Sequence, residues 1–278
     1  MDASIVIPTR DRPASLARCL AALERQSFAG ALEILVVDDG STDAKAVASA
    51  VETSPRARML ENAGRGPAAA RNHGATATRG AAVLFVDDDC EPEASWAEHL
   101  VAALENGADA AYGDTVNGHP DNAFSEASQT IANFLESPGQ GSTGQPFGTS
   151  NNVGCRAEVI RNVPFDERFA LAAAEDRDWC ARLAAAGLEL VSVPAAVVVH
   201  RHDLTFRRFV RQQFNYGRGA YLFRRSHGSA LRLAPARFYT GLVRAGFERG
   251  MLVGALVGLA QGITAAGYAE AAVGRRAS

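Results

Sequence analysis

Lysine is almost missing from this chain. Of 28 basic residues among 278, Lys45 alone is lysine and the others are arginine. Cysteine is sparse as well: Cys19, Cys90, Cys155 and Cys180 are widely spread and form no CxxC pair. That pattern excludes a disulfide framework and a cysteine-based zinc site, and it reads as reduced thiols in a cytoplasmic protein. No signal peptide is expected, because Ser4-Ile5-Val6-Ile7 already reads as a strand, interrupted at once by Pro8. No GxGxxG follows that strand, and no Gly-Lys-Ser/Thr ending closes the later glycine-rich stretch. A dehydrogenase and a P-loop enzyme are therefore disfavoured. No internal repeat is present.

What is there is an ordinary apolar content of 47% and a net charge of −3 that is unevenly shared. From His200 onward the chain has 13 arginines and 3 acidic residues, a balance of +10 against −13 for everything before it. An acidic body with a basic tail favours anionic surfaces for the tail, such as lipid head groups or phosphates. The length suits one core plus an extension, expected as a catalytic domain over 1–204 and a basic helical extension over 205–278.

Strand-like and helix-like runs alternate from the start. Ile5–Ile7 reads as a strand and Ala14–Gln26 as a helix, with Leu16, Leu20 and Leu23 on one face. Strands follow at Glu33–Val37, Ala57–Leu60, Ala81–Val86 and Ala108–Tyr112, with helices between them at about 44, 67–78 and 93–104. This βαβα rhythm implies a largely parallel sheet covered by helices on both faces. It breaks after Gly113, and Ser137–Pro146 reads as a flexible loop able to act as a lid. A helix over 174–186, an apolar run Leu188–Val199 broken by Pro194, and helices over 205–225 and 235–273 complete the chain.

Ligands of such sheets bind at the carboxyl ends of the strands. Those ends carry Pro8-Thr9-Arg10-Asp11, Asp38-Asp39-Gly40-Ser41 and Asp87-Asp88-Asp89. Three adjacent carboxylates repel one another, and a shared Mg²⁺ or Mn²⁺ removes that penalty; a solvated acidic turn is the plain alternative. Val36–Asp43 nearly matches a DxDGT phosphatase motif but has Val37 where the nucleophile belongs. Gly64-Arg65-Gly66-Pro67 leads into a helix whose amides could meet a phosphate, with Arg71 to pair it. Glu175 and Asp176 open another helix, where they either stabilise the helix dipole or serve as a base. His200 ends an apolar run and is the better imidazole ligand, with His202 in reserve.

Taken in order, these pieces resemble the inverting family 2 glycosyltransferases of GT-A fold, over roughly residues 3 to 220. The resemblance rests on Val6–Asp11, Val36–Asp43, Ala70-Arg71-Asn72, Phe85–Asp89, Glu175-Asp176 and His200. It implies an α/β fold, Rossmann-like with a mostly parallel sheet flanked by helices, plus a C-terminal helical extension. It further implies a nucleoside-diphosphate sugar donor (UDP-, GDP- or dTDP-linked) and transfer of one hexose to a glycan, lipid-linked or other hydroxyl acceptor in cell-envelope assembly. Pro8, Thr9, Arg10, Asp11 and Asp39 would hold base and ribose, Asp87 and Asp88 ribose and sugar, and Arg71 the donor. Asp89 with His200 would hold Mn²⁺ or Mg²⁺. Asp176 would be the general base, with Glu175 as its alternate. Arg211–Gly219 has no Arg-Trp pair of the kind processive synthases carry, which points to single-sugar transfer. A sugar nucleotidyltransferase would need an N-terminal Gly-rich loop with a basic residue, which Ile7-Pro8-Thr9 does not offer. The other rival is a non-catalytic nucleotide-sugar-binding module.

Gly250 to Ala269 holds no charge and spaces Gly250, Gly254, Gly258 and Gly262 four apart. It reads as a helix packed on the core or in a homodimer, with interfacial membrane contact close behind. Arg207, Arg208, Arg211, Arg224, Arg225, Arg232 and Arg237 are the residues able to face anionic lipid at the inner side of a membrane. No nucleic acid is expected among the partners.

Overall fold

A computed structural model describes residues 2–137, 146–169, 173–228 and 234–274. The expected lid over 137–146 lies, at residues 138–145, outside the described residues, as does Arg232. Four strands alternate with three helices first: β1 (Ala3–Thr9), α1 (Pro13–Glu24), β2 (Leu32–Asp38), α2 (Ala44–Val51), β3 (Ala57–Glu61), α3 (Pro67–Thr76) and β4 (Ala82–Val86). Then come β5 (Cys90–Pro92), α4 (Trp96–Glu105), β6 (Ala110–Asn117), α5 (Ala123–Glu136), β7 (Asn152–Arg156), α6 (Ala157–Asn162), α7 (Glu175–Ala185) and β8 (Leu190–His200). Three helices follow: α8 (Phe206–Ser226), α9 (Ala236–Glu248) and α10 (Met251–Gly274).

The strands form one sheet in the order β3-β2-β1-β4-β7-β6-β8-β5. β1 is parallel to β2 and β4, β2 to β3, and β6 to β8, but β7 runs antiparallel to both neighbours and β5 antiparallel to β8. The sheet is mixed, with six of the eight strands sharing one direction. β4 is apolar throughout, and β1 and β2 hold apolar runs at 5–8 and 34–37, because both faces are covered. Ile5, Ile7, Ile34, Val36, Leu84 and Val86 pack on α1, α2 and α4, while Val6, Leu35, Val37 and Phe85 pack on the side of α3, α6 and α7.

Two expectations change. The rhythm does not stop at Gly113: β6 runs on to Asn117, and Asn122 caps α5 by accepting from the amides of Phe124 and Ser125. Pro194 does not break β8, since its stretch falls in the register shift between the Val193 and Val198 pairings with β6, where no ladder donor is needed. Asp43 caps α2, its side chain accepting from the Ala46 amide. A third apolar cluster joins Ala127 and Ile131 of α5 to Phe209, Leu242, Leu256 and Val257, so the C-terminal helices share a core with the body.

Candidate active site

The carboxyl ends of β1, β2 and β4 lie side by side, and register brings in β8. Thr9 pairs with Asp38 across β1 and β2, and Cys90 of β5 pairs with His200. The second pairing draws Asp89 against the end of β8, where its carbonyl accepts from the Arg201 amide at 2.7 Å. The two residues expected to share a cation therefore meet: His200 Nε2 lies 3.4 Å from Asp89 Oδ1. The other ring nitrogen of His200 is 3.1 Å from Gln129 Oε1 and 2.9 Å from Nδ1 of His202. Gln129 Oε1 accepts there, which puts a proton on Nδ1 and leaves Nε2 aimed at Asp89, placed to donate to it or, once deprotonated, to share a cation with it. His202 is buried with no partner on Nε2, and burial first, then His200, lowers its pKa to about 3.

The three aspartates of the triplet have different surroundings. Asp88 is buried, accepts from Thr9 Oγ1 at 2.7 Å and lies 3.2 Å from Arg12 Nη1. Burial outweighs those partners and pushes its carboxyl up to about 7. Burial also acts to raise Asp89, but His200 and Arg12 hold its carboxyl well below the usual range; Arg12 Nη1 sits 2.8 Å from Asp89 Oδ2. Asp87 instead receives Arg71 Nη2 at 2.6 Å. Sequence reasoning missed Arg12, although a basic residue just past the end of β1 and opposite an acidic triplet is a readable signal.

Arg71 differs from its expected role. Its guanidinium is buried and committed to Asp87 and, at 3.2 Å, to Glu175 Oε1. It ties the acidic triplet to the start of α7 instead of standing free for a phosphate. Glu175 is buried against it, and burial with Asp176 beside it pushes the carboxyl up to about 7. Asp176 is half-buried, accepts from the amides of Arg177 (2.7 Å) and Ser150, and has its pKa raised by burial first. Of the two candidate bases, Asp176 is the one whose carboxylate has no cationic side chain hydrogen-bonded to it among the described residues. Glu136 supports this arrangement from α5: its Oε1 accepts from Thr149 N at 2.7 Å and Thr149 Oγ1 at 2.6 Å, next to Ser150.

The expected base and ribose residues are also largely occupied. Asp39 is buried and accepts from Asn62 Nδ2 (2.6 Å) and the Gly66 amide (2.9 Å). The helix-start amide offered to a phosphate thus goes to Asp39, closing the glycine-rich loop. Gly40 and Gly66 make this possible with φ of 77° and 98°, angles that favour glycine. Asp11 adopts φ 55° and ties two loops together, its amide donating to Ser41 Oγ and its carboxylate accepting from Thr42 N. Arg10 is exposed beside it, and Pro8 lies half-buried within β1.

Residues 4–163 match the sequence family described as glycosyl transferase family 2. The chain belongs to this family. The pre-mycofactocin glycosyltransferase of Mycobacterium tuberculosis is 30% identical over 227 residues, 79% of this chain and 47% of the relative. Glycosyltransferase AglE of Haloferax volcanii is 27% identical over 223 residues, 78% of this chain and 72% of the relative. The chain thus spans about half the length of the mycobacterial relative. Among solved structures, the mannosyltransferase PcManGT from Pyrobaculum calidifontis, in complex with GDP-Man and Mn²⁺, superposes with a TM-score of 0.67 at 16% identity, over 98% of this chain and 87% of the other. This family 2 glycosyltransferase accordingly has the GT-A architecture, an α/β sheet with flanking helices and a helical C-terminal region.

Its site also bears on what cation would fit. Asp89 Oδ1 and His200 Nε2 form an oxygen–nitrogen pair that suits Mn²⁺ or Mg²⁺. Cys90 Sγ lies within the same 4.8 Å cluster. Burial pushes that thiol well up, so it stays protonated and is a poor ligand.

Proposed function

We propose that this glycosyltransferase moves one sugar from a nucleoside-diphosphate sugar to an acceptor hydroxyl, with inversion and a divalent cation, in cell-envelope glycan or glycolipid assembly. The observation that carries this reading is the Asp89–Oδ1 to His200–Nε2 approach, joined through Asp87 and Arg71 to Glu175 and Asp176. Residues 1–204 would hold the chemistry and 205–278 the accessory helices. The solved PcManGT, bound to GDP-Man and Mn²⁺, supports the class of donor and cation.

Asp89 and His200 would hold the cation, which supplies positive charge to the diphosphate as it leaves. Asp176 accepts the proton of the acceptor hydroxyl as its oxygen bonds to the anomeric carbon and the carbon–oxygen bond to the diphosphate breaks. The pair leaving with the diphosphate balances the new bond, and attack from the opposite face inverts the centre. Raised by burial, Asp176 is a stronger base than a solvated aspartate. Glu175, fixed by Arg71, would orient this end of α7. Pro8, Thr9, Arg10, Asp11 and Asp39 shape the wall for base and ribose, with Thr9 and Asp39 acting through Asp88 and the glycine-rich loop.

Asp176→Asn should lower kcat at least 10³-fold while leaving donor affinity within about threefold. Unchanged turnover would remove Asp176 from the reaction. In the wild-type enzyme, kcat should rise with pH along a limb lying above the ordinary aspartate range, because the base must be ionised.

A further inference from the structure

The helix α10 is apolar on its inner and its outer face. Inward, Val253, Leu256, Val257 and Ala260 join the third apolar cluster, and further along Thr264 Oγ1 donates to the Gln213 carbonyl and Tyr268 packs against Tyr221 and beneath Arg224. The outward face carries Met251, Leu252, Ala255, Gly258 and Leu259, with Met251 79% and Leu252 62% exposed. An outer helix of a globular protein normally turns a polar face outward, and a helix apolar all round belongs in a core or against lipid.

The helix is anchored, which limits how it can meet lipid. Gly217 and Gly267 bring α8 and α10 into backbone contact: a Cβ on Gly217 would fall 2.0 Å from the Thr264 carbonyl oxygen. Contacts run in the same order along both helices, Gln213 to Thr264, Gly217 to Tyr268 and Arg218 to Glu270, so the two are parallel. Their first turns therefore share one end of the molecule. There, Phe206 (53% exposed) and Phe247 (44%) join Met251 and Leu252 as an apolar rim.

Arginines flank this rim. Arg207 and Arg208 are exposed and have no acidic partner among the described residues. The acidic groups near the α9–α10 turn are themselves matched, Glu248 by Arg244 at 3.1 Å and Glu126 by Arg249 at 3.9 Å. Arg224 points elsewhere, to the Tyr268 hydroxyl at 3.3 Å. Asp121 and Asp203 are exposed in the groove that Phe206 lines, and Arg207, Arg208 and Arg211, all exposed, outnumber them; the rim is thus apolar at its centre with a small cationic excess at its edge, a character that suits an anionic lipid surface. It also borders an open groove between 118–124 and 203–206, which begins one residue after His202.

We infer that the first turns of α8 and α10, with the α9–α10 turn, form a docking face for an anionic bilayer, with α10 lying along the interface and not crossing it. Phe206, Met251 and Leu252 enter the acyl boundary, and Arg207 and Arg208 meet lipid phosphates. The face sets the site mouth beside the membrane. The inference stands whether or not the chain transfers a sugar, because binding is read without turnover.

The test is co-sedimentation of the full chain with vesicles of phosphatidylcholine alone and with 30% phosphatidylglycerol, at two salt concentrations. Binding should require phosphatidylglycerol and weaken with salt. Met251→Asp with Leu252→Asp should weaken it at least tenfold, and Arg207→Glu with Arg208→Glu by more than tenfold, roughly fivefold or more per charge. Circular dichroism should be unchanged, since all four side chains are exposed. Absence of binding to either vesicle would overturn the inference. So would a dimer in sedimentation velocity that the Met251→Asp/Leu252→Asp pair dissociates, which would make the face a contact between copies.

Discussion

At the scale of single residues, Arg71 is the cation that joins the acidic triplet to the start of α7. It sits buried between Asp87 and Glu175, so its removal leaves two carboxylates facing each other without a cation. Glu175 already has a folded-state pKa of about 7, above its ordinary 4.5. A raised carboxyl pKa means stability is present below the unfolded value and is lost as pH rises through the folded one. Without Arg71 the folded pKa climbs further. Arg71→Met should therefore cost about 3–5 kcal/mol at pH 8 and distinctly less at pH 5, read as the difference in Tm at the two values. Equal losses at both would mean Arg71 acts by packing alone. The motif residues were readable from sequence, but their division of labour was not. Asp39, Asp11 and Arg71 each looked like ligand-facing groups, because a sequence shows which side chains gather at the strand ends and not which of them satisfy one another. Gln129 and Glu136 carried no local signal at all: each matters through a partner about 70 or 13 positions away.

Among elements, those with a clean period were legible and those defined by distant pairing were not. β1, β2 and β4 hold continuous apolar runs, and α1 shows a helical repeat, so each was readable from sequence within a few residues. β5 is three residues long and exists only because β8 pairs with it, yet it is what carries Asp89 to His200. Likewise Pro194 reads as a breaker unless the register irregularity beside it is known. The glycines of the tail have a more specific role than their spacing suggested. Gly254 seats the Phe247 ring and Gly267 and Gly217 allow close backbone approach, whereas Gly258 and Gly262 face open space. Gly217→Ala should accordingly force α8 from α10 and cost about 1–3 kcal/mol, seen as a lower midpoint in urea. Gly258→Ala should instead be neutral or slightly stabilising, because the added methyl meets nothing and alanine favours helix.

In the whole molecule, the alternation of strands and helices identified the α/β class, and the glycosyltransferase family accounts for its architecture. The antiparallel direction of β7, Asn-Val-Gly-Cys-Arg, escaped because nothing in five residues marks which way they run; direction is a property of the sheet, not the strand. The uneven charge was visible from composition, but only the fold shows that its basic part divides, Arg224 and Arg218 turning to Tyr268 and Glu270 while Arg207 and Arg208 remain outward. The body and the helical layer share a core through α5, so a cut at residue 204 would strip Phe209, Leu242 and Val257 from Ala127 and Ile131. The proposed donor site lies at the carboxyl ends of β1, β2 and β4, and the central claim is that a nucleoside diphosphate binds there with a divalent cation held by Asp89 and His200. Calorimetric titration of GDP and UDP with and without Mn²⁺, on the wild type and on His200→Ala, tests it most directly. The wild type should bind at least one of the two at least tenfold more tightly with Mn²⁺, and His200→Ala should lose that gain. Binding that is indifferent to Mn²⁺, or a gain that survives in His200→Ala, would contradict the account.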